Sequence, residues 1–410
     1  MSNPDSNPNQ PRLLSFTLDG WSVLGGRVTV SLHDGVAVLV GRNGSGKSAI
    51  IEGLQAISLC AIGKSNRVSY SNSDSIPKIL EIEVLTPYKR HLAYKYELIP
   101  LSISTENLDL DDSISDNLGE KQFSWHGYCQ YTDGNQETLW CTENGITTLV
   151  NEHGQNAGIL GNIHLFPQST LPENSSLKFP REMFWIYDVL NGVRVFVKTT
   201  ISKRKNTSVK VSRNNNVFVD SSLGIAGILT QKIHRCMDMG NFDELENICQ
   251  RVGLGNKIIV QKFVLSQKVV IDEDTKNNEY YFSVDLDGVN IGVLSDGTLK
   301  VLSILIEIIT SNSTSTIIIE EPEAQIHPAM LAKLLNEIEA YTYGQNLIVS
   351  THSPQVVSWA RPEKINLVYR KDSRTFVRKL SEDDIHNVIA YLSEEGDLGE
   401  WIYSGILDNE

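Results

Sequence analysis

Residues 36–54 read VAVLVGRNGSGKSAIIEGL: an apolar run, a glycine-rich turn, then a helix-like stretch. From Gly41 to Ser48 the residues match the spacing G-x-x-x-x-G-K-[ST], in the strand-to-helix context that this spacing requires. Without side chains in the way, the backbone N–H groups of Asn43, Gly44, Ser45 and Gly46 can converge on phosphate oxygens. The following helix would add the partial positive charge of its N-terminus at Lys47, Ser48 and Ala49. Lys47 has the reach to meet β- and γ-phosphates, and the Ser48 hydroxyl suits Mg²⁺.

A second cluster, STIIIEEPEAQIHP, runs a β-prone stretch (Thr316 to Ile319) into two adjacent carboxylates. At the C-terminal tip of a parallel strand, Glu320 would hold the Mg²⁺ shell and Glu321 would polarise an attacking water. The same residues also suit a helix start, with Pro322 at the first helical position and acids in the first turn. The phosphate loop on the same chain favours the strand-tip reading. A third cluster, VLSDGTLKVLSIL (293–305), opens an apolar helix with small polar residues, so Ser295, Asp296 and Gly297 are placed where free N–H groups make an anion site. In NLIVSTHSPQVV, His352 closes an apolar strand. A lone histidine is usually structural, but this one ends the strand after the Glu320 strand, at the same crevice edge.

Several elements must position these groups. Strands are expected in 13–40, 79–101, 122–149, 257–265 and 280–288, with helices over 46–60, 181–191, 224–239 and 241–252. The last third reads helix (298–309), strand (316–319), helix (328–342), strand (346–350), helix, strand (364–369) and a terminal helix. Strands alternating with helices imply a parallel α/β sheet there. The acidic stretch 107–120 reads as an exposed loop, and the Pro/Ser-rich stretch 166–180 as the best internal boundary. The expected division is a disordered leader (1–11), an N-terminal lobe with an antiparallel β region (12–165), a helical and β insertion (166–290) that sets specificity or regulation, and a C-terminal lobe (291–410).

Composition narrows the class. The 410 residues are 40% hydrophobic and 21% charged, which is ordinary for a globular chain with a sizeable core. A net charge of −14 argues against coating nucleic acid by bulk charge. The five cysteines form no CxxC pair and suggest reduced thiols rather than zinc ligands or a disulfide scaffold. The polar, proline-containing start lacks the apolar core of a signal peptide, and the most apolar window (294–309) is broken by charges, so no membrane span is expected and the cytoplasm is the default.

In this order, GRNGSGKS, LSDGTLK, IIIEEPEAQIHP and STHSP resemble the heads of ABC-type ATPases. Within them the chain is similar to the RecF/SMC-like group, and there to stand-alone ATPases of the OLD and PtuA kind from bacterial anti-phage systems. The C-terminal EEGDLGEWIYSGIL adds to that likeness. The resemblance implies an ABC-type P-loop head with a mixed sheet, an antiparallel β subdomain and a helical insertion, binding ATP and Mg²⁺. It implies that Ser295, Asp296 and Gly297 form the signature loop, contacting ATP held by a second copy in a head-to-tail homodimer or higher oligomer. Residues 324–328 would cross that interface, His352 would sense the γ-phosphate, and Gln168 would contact Mg²⁺ as the glutamine loop. LSDG in place of LSGG, and Glu320 in place of aspartate, point to the OLD-like branch.

The fate of the energy follows by comparison. The head does not look like the transporter branch, and neither heptads nor a CxxC marks a zinc-hook or SMC arm. The chain after His352 is too short for a Toprim nuclease domain. The expectation is therefore a slow ATPase that regulates a separate effector, an HNH-type nuclease, in phage defence. A RecF-like DNA-repair ATPase is the alternative, and a nucleotide-gated scaffold with negligible turnover is a third reading. The basic run Lys203, Arg204, Lys205, Lys210 and Arg213 could touch a phosphate backbone, although a solvated hairpin is favoured in so acidic a chain.

Overall fold

The computed structural model describes residues 10–64, 76–100, 123–134, 136–151, 154–162, 180–196, 209–211, 224–267, 278–311, 315–381 and 384. It divides into two compact units. One comprises Met1–Val195, Ser313–Ile318 and Gly344–Glu410, and the other Phe196–Asn312 and Ile319–Tyr343.

The first unit begins with β1 (Arg12–Asp19), β2 (Val28–Ser31), β3 (Val36–Val40) and α1 (Lys47–Ala61). A run of strands follows: β4 (Ile79–Leu85), β5 (His91–Pro100), β6 (Phe123–Tyr131), β7 (Glu137–Glu143), β8 (Ile146–Val150) and β9 (Asn156–Asn162). Then come α2 (Arg181–Asn191) and β10 (Val193–Phe196), whose last residue falls in the second unit. The second unit holds β11 (Val209–Val211), α3 (Ile225–Asp238), α4 (Phe242–Val252), β12 (Ile258–Gln267), β13 (Asn278–Leu286), β14 (Val289–Asn290) and α5 (Asp296–Thr310). After β15 (Thr316–Glu320), which starts in the first unit and ends in the second, come α6 (Pro328–Tyr341), β16 (Asn346–Thr351), α7 (Pro354–Trp359), β17 (Ile365–Lys371) and β18 (Arg374–Lys379).

The fold is mixed α/β, with three sheets among the described residues. One has the order β2-β1-β4-β5-β6-β7-β8-β9, and the adjacent pairs are antiparallel. Strict alternation builds it: in β4, Leu80, Ile82 and Val84 are buried while the residues between them are partly exposed. The second sheet has the order β10-β15-β16-β3-β17-β18, with β16 and β17 each parallel to β3. Its inner strands read TIIIE and NLIVST and are buried at every residue, as expected of a sheet covered on both faces. The third joins β11, β13 and β12, with β14 paired to β13.

The core of the first unit runs from β1 through α1, whose Ile50, Ile51, Leu54 and Ile57 are buried, to Trp140 and α2. Gly53 of α1 sits so close to the Trp21 ring that a Cβ would come within 2.8 Å of it. In the second unit, α5 is the central helix, with Val301, Leu302, Ile304, Leu305, Ile306 and Ile308 buried.

The helices expected from periodicity are present with ends shifted by a residue or two. β9, β10, β11, β14 and β18 go beyond the strands read from sequence. At β17–β18, Asp372 and Ser373 form a two-residue connection with φ of 48° and 65°, the left-handed pair that matches strand twist. The expected terminal helix, the 107–120 loop and all but Pro180 of the 166–180 boundary lie outside the described residues. Among the described residues, no helix is long and apolar enough to cross a membrane.

All five cysteines are free. Burial pushes the Cys236 thiol up to about 11. It pushes Cys249 up to about 12, with the nearby Glu246 and Asp287 carboxylates adding to the effect. Thiolates are the reactive form, so at pH 8 a disulfide reagent should label Cys236 roughly 100-fold, and Cys249 roughly 1,000-fold, more slowly in the folded chain than in urea. Equal rates in the two states would show that these residues are not enclosed as described.

Candidate nucleotide-binding site

In the first unit the phosphate loop leaves β3 at Val40 and enters α1 at Lys47. The three glycines answer three different needs. At Gly41, a Cβ would run into the Val368 carbonyl of β17. Gly44 has open space around it but a φ of 80°, which favours glycine on conformation alone. Gly46 combines both: its φ is 108°, and a Cβ would stand 2.5 Å from Thr375 Oγ1 and 2.8 Å from its Cγ2. Thr375, on β18, is 1% exposed and donates to the Ser45 carbonyl at 3.3 Å. The β17–β18 hairpin is thus the floor of the loop, and sequence reasoning passed over both of its contacts.

The loop is electrostatically prepared for an anion. Lys47 is buried, and its ammonium donates to the carbonyls of Gly41 at 2.6 Å and Arg42 at 3.0 Å. It therefore spans the inside of the loop, held by the backbone that it closes. Gly46 caps α1 without a side-chain hydrogen bond, and no acidic residue stands in the first turn. The positive end of a fifteen-residue helix is left to act on whatever sits in the loop. The Ser45 hydroxyl is buried without a hydrogen-bond partner, an arrangement that costs about 1–3 kcal/mol unless a ligand oxygen supplies one. Asn43 and Gly44 are exposed, while Ser48 and Ala49 are half-buried on the first turn. A missing-Cβ cradle, an uncapped helix end and an unpartnered hydroxyl together fit a polyphosphate.

His352 belongs to the same unit. It is the residue immediately after β16, whose Thr351 pairs with Val40 of β3. His352 and Gly41 thus step off neighbouring parallel strands at the same edge, and His352 is exposed there.

The second unit carries the other expected residues. Ser295 caps α5: its Oγ accepts from the Thr298 N–H at 3.2 Å and lies 2.8 Å from Thr298 Oγ1. Its hydroxyl is thereby occupied locally, and Asp296 places a carboxylate in the first turn. Gly297 is buried where a Cβ would strike the Gln325 carbonyl. Glu320 is the last residue of β15 and is 7% exposed, whereas Glu321, half-buried, has a φ of 44°. No helix starts at Pro322, which disposes of the helix-start reading of the two acids. The next helix, α6, begins at Pro328, with His327 Nδ1 accepting from the Ala329 N–H at 3.2 Å. Oxygen donors of the Ser48 and Glu320 kind are the hard ligands that Mg²⁺ takes.

Gln168, Lys203, Arg204, Lys205 and Arg213 lie outside the described residues. Lys210 is on β11, opposite Tyr281 of β13. Lys300, to which the sequence reading gives no role, donates through Nζ to the Glu321 carbonyl at 2.6 Å. The signal was available in the G-x-x-K spacing, which places Gly297 and Lys300 one turn apart on one helix face.

Residues 242–358 match the family model described as "AAA domain, putative AbiEii toxin, Type IV TA system". No curated protein matches the chain. Among solved structures it is similar to the SmcHead bound to the C-winged helix domain of ScpA, at 14% identity, a TM-score of 0.45, and coverage of 92% of this chain and 100% of the other. An Smc head domain with an extended coiled coil, bound to the C-terminal domain of ScpA from Pyrococcus furiosus, gives 15% identity and a TM-score of 0.43, covering 94% and 100%. The SMC head domain from Thermotoga maritima gives 12% and 0.36, covering 90% and 99%. From α4 to within α7, a span that includes the α5 cap, both acids and His352, the chain is similar to an AAA-type ATPase domain.

Proposed function

We propose that the chain binds ATP with Mg²⁺ and hydrolyses it slowly, as a head that pairs with a second copy and regulates a separate effector. The observation that carries the reading is the loop Gly41–Ser48. Its glycines are made necessary by Val368, Thr375 and positive φ, and a buried lysine and an uncapped helix end converge on it. The match to an AAA domain over 242–358 supports the ATP-binding part of the reading from a different part of the chain.

The chain's residues divide the work. Lys47 and the first turn of α1 bind and orient the phosphates, with Asn43 to Gly46 offering backbone N–H groups. The Ser48 hydroxyl and the Glu320 carboxylate would each offer a hard oxygen ligand to Mg²⁺, and the ion when bound would supply neutralisation of phosphate charge. Glu321 accepts the proton of the attacking water as its oxygen bonds to the γ-phosphorus and the bond to the β–γ bridging oxygen breaks. His352 donates to the γ-phosphate from the strand edge. Ser295, Asp296 and Gly297 face the nucleotide of the second copy.

The effector, in this proposal an HNH-type nuclease, belongs to phage defence, and residues 166–290 form the specificity surface within the division 12–165, 166–290 and 291–410.

The test is phosphate release by the purified chain with ATP, in Mg²⁺ and then in excess EDTA, alongside calorimetric ATP binding. Release in Mg²⁺ that stops with EDTA is expected. Neither binding nor release in Mg²⁺ would sink the proposal.

A further inference from the structure

We infer that Lys300 is a positioning residue that fixes the Glu321 backbone and so couples the first turn of α5 to the carboxylate at the end of β15. The inference rests on the reading of Glu321 as the general base, and extends it to a residue to which that reading gives no role.

Lys300 lies one turn beyond Gly297 on the same face of α5. Gly297 has no side chain, which lets that face approach the 321–325 loop until a Cβ would strike the Gln325 carbonyl. Lys300 then ties the loop down, donating to the Glu321 carbonyl at 2.6 Å and reaching the Ala324 carbonyl at 3.4 Å. Two residues of this loop have a positive φ: Glu321, at 44°, whose carbonyl Lys300 holds, and Gln325, at 65°, whose carbonyl stands against Gly297. A non-glycine residue pays a steric penalty there, and it persists only where neighbours over-determine it. A charged donor on the Glu321 carbonyl is such a neighbour, because a hydrogen bond from an ammonium is stronger than one from a neutral group.

Two consequences follow. With the ammonium gone, Glu321 relaxes toward the right-handed region and its carboxylate leaves the position set by the left-handed one. A ligand that draws on the α5 N-terminus at Ser295 to Gly297 shifts the helix turn to which the loop is tied, so the state of that turn is felt at Glu321.

The experiment uses the full chain and Mg²⁺·ATP. Lys300→Met should keep ATP affinity within about 3-fold while lowering the single-turnover rate by roughly 10- to 100-fold, a large part of what a positioned base supplies. Lys300→Arg should restore most of the rate, and Lys300→Met should add nothing to Glu321→Gln in a double-mutant cycle. Amide hydrogen exchange across 321–326 should rise several-fold in Lys300→Met. An unchanged exchange rate, or a Lys300→Met rate like wild type, overturns the inference. So does an equal fractional loss in the Glu321→Gln background. If Glu321→Gln hydrolyses like wild type while exchange still rises, the positioning stands and the general-base reading has failed. Should Lys300→Met not fold, Lys300→Gln carries the same comparisons.

Discussion

Gly46→Ala abolishes ATP binding and destabilises the first unit. Two penalties coincide at this residue and can be measured apart. The φ of 108° lies where L-residues are strained, by about 1–3 kcal/mol. The new methyl would also stand 2.5 Å from Thr375 Oγ1 and 2.8 Å from Cγ2, and Thr375 is enclosed at 1% exposure and cannot swing aside into solvent. Overpacking of this kind costs roughly another 1–3 kcal/mol. Relief comes by moving the loop, which carries the Ser45 carbonyl away from Thr375 and disperses the N–H groups that would meet phosphate. Denaturant unfolding should therefore show a loss of about 2–6 kcal/mol. Thr375→Ala in the Gly46→Ala background removes Oγ1 and Cγ2 and should recover the overpacking part but not the φ part. Wild-type ATP affinity in Gly46→Ala would show that the loop does not need this close approach.

Why the phosphate-loop geometry was legible while its supports were not becomes clear at Thr375 and Lys300. A phosphate loop is a local object: spacing, a preceding apolar strand and a following helix are all contained in residues 36–54. The helices and the fully buried β15 and β16 are equally local, because their periodicity or unbroken apolar run declares them. Thr375, by contrast, meets Ser45 across 330 positions, a contact that no window can contain. β18 was overlooked because its hairpin turns on Asp372 and Ser373, a pair that lacks the glycine by which such turns are usually read. Lys300 looked like an ordinary cation on an amphipathic helix. Its role depends on the 321–325 loop folding back onto α5, which follows from the left-handed Glu321 and not from any residue-type pattern. The double acid was the converse case: sequence left strand tip and helix start both open, and only the end of β15 at Glu320 decided between them.

That decision gives Glu321→Gln its force as an experiment. Glutamine has the shape of glutamate, accepts a similar backbone strain at φ 44°, and leaves the carbonyl that Lys300 holds untouched. Folding and ATP affinity should therefore stay close to wild type, and only the ability to take a proton is lost. A positioned general base contributes about 10²- to 10⁴-fold, so single-turnover hydrolysis should fall by that order while calorimetric binding persists. A fall in rate without a loss of binding belongs to an interaction made in the transition state, whereas parallel losses would point to a damaged site. The same variant reports on pairing. If the turn Ser295–Gly297 of one copy meets nucleotide held by Gly41–Ser48 of another, ATP that is bound but not hydrolysed should hold two copies together, and sedimentation of Glu321→Gln with Mg²⁺·ATP should show a dimer that EDTA dissolves. A variant that stays monomeric with ATP bound would leave the first unit's loop as a complete site and remove the second copy from the mechanism. Hydrolysis at the wild-type rate would instead transfer the base to another residue, with His352, exposed at the end of the strand beside β3, the next to be replaced.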